Sequence, residues 1–187
     1  TPTTRIRGKP NSKYILGIDP SFSSSPTSDF FAMSVLELDE STRSSTLVHS
    51  YAVAGGDLKS HIAYLHYLVK NFNFEMICID NAGYQFIDGA VESTEFRKSN
   101  TTLEFLDFDS NKEGEDYNKQ LRKLKQTINK ESGKIVFKQN FTSEWLRKAN
   151  EHLQSCIDHK KIWFASRTSA NGSEFDKATN THINLKE

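Results

Sequence analysis

The stretch YILGIDPS, residues 14–21, predicts the central strand of this chain. Its first five residues are almost continuously apolar, which is typical of a strand buried on both faces of a sheet. Asp19 then ends the strand, and Pro20 cannot donate a hydrogen bond to a neighbouring strand, so pairing should stop there. An ionised carboxylate beside a buried sheet is costly unless it is compensated, and a divalent cation is a strong compensator. The stretch therefore predicts a buried strand that presents Asp19 to a cation.

A second stretch, EMICID at residues 75–80, has the same pattern and ends on Asp80. The residues NAG and a helical pattern follow it, as expected of a tight turn from a strand into a helix. Two neighbouring strands that each end on an acid can hold two metal ions about 3.5–4 Å apart. Carboxylates suit hard cations, so Mg²⁺ or Mn²⁺ is expected. Either acid alone could be an exposed turn residue, but the matching contexts of Asp19 and Asp80 favour a shared metal site.

Length and composition indicate one packed domain. The chain has 187 residues with 36% hydrophobic and 11% aromatic content, enough for one core of ordinary size. We expect a linker or leader at residues 1–13, the domain at 14–165, and a polar segment at 166–187 that could be truncated or flexible. The 24 basic residues balance 24 acidic ones, which argues against indiscriminate coating of nucleic acid but allows a local basic face.

The cellular setting follows from what the sequence lacks. Cys78 and Cys156 form no CxxC pair, so both are expected to be reduced thiols. No apolar run approaches the roughly 20 residues of a membrane span, and no signal peptide is recognisable. An intracellular protein is therefore expected.

The order of predicted elements is that of an α/β fold with a mixed sheet. Three strands at 14–18, 30–38 and 46–54 form an antiparallel meander. Asp57 then caps an amphipathic helix that leads to the strand of Asp80, which can lie parallel to the first strand. Further strands are predicted at 102–108 and 134–138. A last helix after Thr142 is predicted to bury an apolar stripe, which comprises Trp145, Leu146, Ala149, Leu153 and Ile157.

This layout, with acids ending the first and fourth strands, is that of the ribonuclease H-like nucleases. The residues resemble one branch of them, the nuclease domain of the large subunit of the bacteriophage DNA-packaging terminase. The matching motifs are LGIDPS around Asp19, the acid and aromatic pair of Asp29 and Phe30, and ICIDNAGYQFIDGA around Asp80. Many members of the family carry Glu at the position of Asp80. The runs KQLRKLKQTI and GKIVFKQ also follow the family's pattern, and the likeness covers residues 14–164.

The resemblance implies a metal-dependent endonuclease that cuts concatemeric viral DNA during genome packaging. Asp19 would bridge two Mg²⁺ or Mn²⁺ ions, and Asp80 would hold one of them. Double-stranded DNA would be the substrate. In the full protein the partners would be an ATPase motor domain, a small terminase subunit and the portal, with no membrane involved. The location would be the cytoplasm of the infected host cell.

The remaining candidate residues are less well defined by the motifs. The family completes its site with an aspartate from a late pair of acids, and no adjacent acid pair follows Lys134. Asp176 is the candidate third ligand, although its context does not match. Asp29 could bind a metal through water, or it could simply cap the second strand. The candidate DNA-binding residues lie on the polar face of the third long helix, where the alternative is a solvated helix face; they are Lys119, Arg122, Lys123 and Lys125.

Other functions remain open. A junction resolvase or a ribonuclease H would use the same acids on a different substrate. An actin-like nucleotide-binding fragment or a non-catalytic interaction module would not cut nucleic acid at all. The chain has no GxxxxGK phosphate loop, so a terminase nuclease with this sequence would be separate from its motor.

Overall fold

The computed structural model describes residues 4–22, 29–106, 115–127 and 133–165. These residues form one seven-stranded sheet and five α-helices. The strands are β1 Lys13–Asp19, β2 Phe30–Asp39, β3 Ser44–Ala54, β4 Phe74–Asp80, β5 Thr102–Leu106, β6 Gly133–Gln139 and β7 Ile162–Phe164. The helices are α1 Leu58–Asn71, α2 Tyr84–Glu92, α3 Thr94–Ser99, α4 Glu115–Thr127 and α5 Ser143–Asp158, and a 3₁₀ turn, Asn81–Gly83, precedes α2.

The strand order of the sheet is β5-β6-β4-β1-β2-β3-β7. Strands β1, β2 and β3 form the predicted antiparallel meander. Strand β4 lies parallel to β1, β6 lies parallel to β4, and β5 lies parallel to β6. This confirms the predicted ribonuclease H-like mixed sheet. Strand β7, which the sequence analysis did not predict, adds a parallel edge strand beside β3.

One apolar core lies against one face of the sheet. Tyr14, Leu16 and Ile18 alternate along β1 and are buried, together with Leu65 of α1 and Phe86 of α2. The residues of β1 between them are only half-buried. The prediction that this strand is buried on both faces is therefore wrong for the described part of the chain, because the helices that share this core, α1, α2 and α3, pack against the face of Tyr14, Leu16 and Ile18.

The entry to α1 follows the predicted capping. The backbone N–H and the hydroxyl of Ser60 both donate to the Asp57 carboxylate, at 2.8 and 2.9 Å. The two preceding residues, Gly55 and Gly56, have φ angles of 70° and 103°. Such positive φ values favour glycine, so the turn into α1 is fixed by these two residues.

The last helix differs from its prediction. No residue of α5 is buried by the part of the chain that the structure describes. Leu153 is 43% exposed and Ile157 is 45% exposed. The predicted inward packing of the stripe is therefore wrong within these residues, because an amphipathic pattern gives a helix an apolar face without specifying what covers it.

The segment before β1 lies against the domain. The Arg5 backbone N–H donates to the carbonyl of Val48 at 2.7 Å, and the Arg5 guanidinium pairs with Glu37 at 2.9 Å. The Gly8 backbone N–H donates to the Asn71 carbonyl at 2.8 Å. In the described ranges no helix is both long and apolar enough to cross a membrane.

Candidate functional site

Asp19 and Asp80 end neighbouring parallel strands. Ile18 of β1 pairs with Ile79 of β4, and each aspartate is the next and last residue of its strand. Because side chains alternate along a strand, both aspartates lie on the face opposite to the buried isoleucines. The sheet therefore brings the two predicted acids to the same edge and the same face.

Asp29 approaches this edge from the antiparallel side. It directly precedes β2, where Ala32 pairs with Asp19. The pKa of the Asp19 carboxyl is raised by partial burial first, then by the negative charge of Asp80, and then by that of Asp29. The three carboxylates are thus close enough for the charges of Asp80 and Asp29 to act on Asp19.

This electrostatic arrangement is one that a cation would relieve, and carboxylates are suitable ligands for Mg²⁺ or Mn²⁺. The described ranges nevertheless contain no group of three or more His, Cys, Asp or Glu side chains that could hold a metal ion. Asp176 lies outside the described residues, so its role as a third ligand stays a prediction.

Two residues at this edge were missed by the sequence analysis. Gln139 ends β6 and pairs with Asp80. Lys138 precedes it, with its ammonium 4.6 Å from the centre of the Phe105 ring and 5.5 Å from that of Tyr84. The sequence signal that could have identified these two residues is an apolar strand that ends in polar residues, as β4 does at Asp80. The pairing of β6 with β4 could not be read from the sequence.

The basic residues of α4 are distributed along the helix. Lys119, Arg122, Lys123 and Lys125 are all exposed. Lys125 lies 3.6 Å from Glu75, which is near the start of β4 and thus at the opposite end of that strand from Asp80. Because α4 connects the end of β5 to the start of β6, its first turns lie nearer the acidic edge. Lys119 is therefore closer to that edge than Lys125.

The fold and the site together define an α/β domain of ribonuclease H-like topology with acidic residues at the carboxyl edge of its central strands. No family model and no curated protein matches the chain.

The structure is similar to two solved structures. One is the large terminase nuclease from thermophilic phage G20c, with 13% sequence identity, a TM-score of 0.48, and coverage of 87% of this chain and 63% of that one. The other is the large terminase from a second thermophilic bacteriophage, with 14% identity, a TM-score of 0.48, and coverage of 89% and 31%. The chain thus spans less than two thirds of either structure.

Proposed function

We propose that this chain is a divalent-metal-dependent DNA endonuclease. The observation that carries the proposal is the meeting of Asp19 and Asp80 at one edge of the sheet, on adjacent parallel strands. The raised pKa of Asp19 supports it, because the negative charges of Asp80 and Asp29 contribute to that shift. The motif resemblance makes the role specific: cutting concatemeric viral DNA during packaging.

Asp19 and Asp80 would hold the two expected Mg²⁺ or Mn²⁺ ions. Asp29 would contact a metal ion through a water molecule. Asp176 is the candidate third metal ligand. Bound ions would supply an activated water and a stabilised leaving oxygen. The carboxylates themselves would set where the scissile phosphate sits, because they fix the positive charge that attracts it.

The biological setting belongs to the same proposal. Double-stranded DNA is the proposed substrate, and Lys119, Arg122, Lys123 and Lys125 are proposed contacts to its phosphates. An ATPase motor domain, a small terminase subunit and the portal are the proposed partners. The proposed location is the cytoplasm of the infected host cell.

The first test is cleavage of supercoiled plasmid in Mg²⁺, in Mn²⁺ and in EDTA. Wild type should nick and linearise the plasmid only with metal. Asp19→Asn and Asp80→Asn should each cut at less than about 1% of the wild-type rate, because even residues that only orient a metal ligand are worth about 10–100-fold. Asp88→Asn is the matched control, since Asp88 is exposed within α2 and should leave the rate unchanged.

Substrate preference distinguishes the proposed endonuclease from a junction resolvase and from a ribonuclease H. A four-way junction and an RNA–DNA hybrid should be cut more slowly than plasmid under the same conditions. A strong preference for either would assign the same acids to a junction resolvase or a ribonuclease H. Folded protein that cuts none of the three would instead indicate a non-catalytic module.

A further inference from the structure

The turns that follow the two acids touch each other. Pro20 comes directly after Asp19, and Gly83 closes the 3₁₀ turn directly after Asp80. A Cβ atom placed on Gly83 would lie 2.0 Å from Cγ, 2.9 Å from Cβ and 3.2 Å from Cδ of Pro20. Real Cβ atoms essentially never come as close to another atom as the first two of these distances. Any other residue at position 83 would therefore push the two turns apart.

The backbone of Gly83 gives no other reason for a glycine. Its φ and ψ angles are −96° and 7°, a conformation that L-residues can adopt. Gly55 and Gly56 differ, because their φ angles are positive. Gly83 is therefore required by the space that the Pro20 ring occupies.

We propose that Gly83 and Pro20 act as a spacer that fixes the separation of Asp19 and Asp80. Both are positioning residues, and the catalytic consequence rests on the proposed function. The Pro20 ring is rigid because its φ angle is locked, and only one peptide bond separates it from Asp19. If the Gly83 turn and the Pro20 turn are pushed apart, Asp19 therefore moves relative to Asp80, because no flexible side chain at this contact can absorb the shift.

The variants form a double-mutant cycle: Gly83→Ala, Pro20→Gly and the two combined. Gly83→Ala should weaken Mn²⁺ binding, measured in the absence of DNA, by about 10-fold. It should lower kcat by about 10–100-fold, because misplacement of a catalytic group by about 1 Å can cost 100-fold in rate. KM for DNA should change less than about twofold, since neither residue is a proposed DNA contact. Pro20→Gly removes the ring, so the double variant should match Pro20→Gly alone.

Gly89→Ala is the control for a glycine-to-alanine change nearby. Gly89 lies in α2, where an added Cβ would be 3.6 Å from Ile62 and 4.0 Å from Leu58, ordinary contact distances. Its Mn²⁺ affinity and kcat should equal those of wild type. Unchanged Mn²⁺ affinity in Gly83→Ala would overturn the spacer, as would a double variant that is more impaired than Pro20→Gly alone.

A structural measurement separates the spacer from the proposed function. In metal-free protein, the amide resonances of Asp19 and Asp80 should shift in Gly83→Ala and return in the double variant to their positions in Pro20→Gly. If wild type neither binds Mn²⁺ nor cuts DNA, the proposed function fails. The spacer then stands on these shifts if they occur, and it is overturned if the two resonances do not move.

Discussion

The carboxyl of Asp19 has a raised pKa because it is partly buried and because Asp80 and Asp29 are negatively charged. A pKa that is higher in the folded than in the unfolded state means that folded protein binds the proton more tightly. The free energy of unfolding therefore falls as pH rises from the ordinary value of 3.8 through the raised one. Above the raised pKa and without metal, ionisation of Asp19 thus lowers the free energy of unfolding.

We therefore expect Asp19→Asn to raise Tm at pH 7 in EDTA while it abolishes cutting. The gain should be about 1–3 °C. Asp19 is only partly shielded and stays largely exposed, so its interactions with other charges are worth less than about 1 kcal/mol, and 1 kcal/mol moves Tm by about 2–4 °C in a chain of this size. Thermal unfolding followed by circular dichroism measures it, with Asp88→Asn as the control. A gain that fails to shrink as pH is lowered towards 4 would contradict the electrostatic explanation.

At the scale of the elements, the acidic edge could be predicted because its signals are local. Each of β1 and β4 is an apolar run that stops on an acid, so Asp19 and Asp80 could be placed at strand ends before their neighbours were known. Gln139 could not be placed beside Asp80, because strand order depends on contacts between distant residues. The contact of Gly83 with Pro20 has no local signal either, since the φ angle of Gly83 is ordinary.

The contrast between α1 and α5 gives a prediction for packing. Leu65 of α1 is completely buried, whereas Leu153 of α5 is 43% exposed. We expect Leu65→Ala to lower the free energy of unfolding by about 2–5 kcal/mol, as loss of a buried leucine does. Leu153→Ala should lower the free energy of unfolding by less than about 1 kcal/mol, because the Leu153 side chain buries less apolar surface when the chain folds. Urea unfolding of the two variants measures both values.

Equal costs for the two leucines would show that α5 has a packing partner outside the described residues. The prediction thus tests the part of the fold that the sequence pattern got wrong. The slope of the free energy of unfolding against urea concentration should change little in either variant, since neither substitution alters the extent of the folded structure. A large change in that slope for Leu153→Ala would indicate that α5 unfolds separately.

At the scale of the whole molecule, the chain has no excess of positive charge to attract DNA. Its 24 basic and 24 acidic residues give a net charge of zero, so binding must come from a local surface. The candidate surface is the exposed basic face of α4, and its Lys119 is nearest the acidic edge. On α5 the basic residues have acidic partners: Arg147 pairs with Glu151 at 2.6 Å, and Lys148 pairs with Glu144 at 2.8 Å.

The position of Lys119 near the acidic edge predicts which basic residues bind DNA. The double variant Lys119→Gln/Arg122→Gln should weaken binding to duplex DNA in EDTA, and it should reduce the slope of log Kd against log salt by about two, one for each lost phosphate contact. The control, Arg147→Gln/Lys148→Gln, removes the same two charges, so both variants have a net charge of −2. Its slope should equal that of wild type, as measured by fluorescence anisotropy between low and physiological salt. Equal losses in the two variants would show that overall charge drives binding, and α4 would then have no special role.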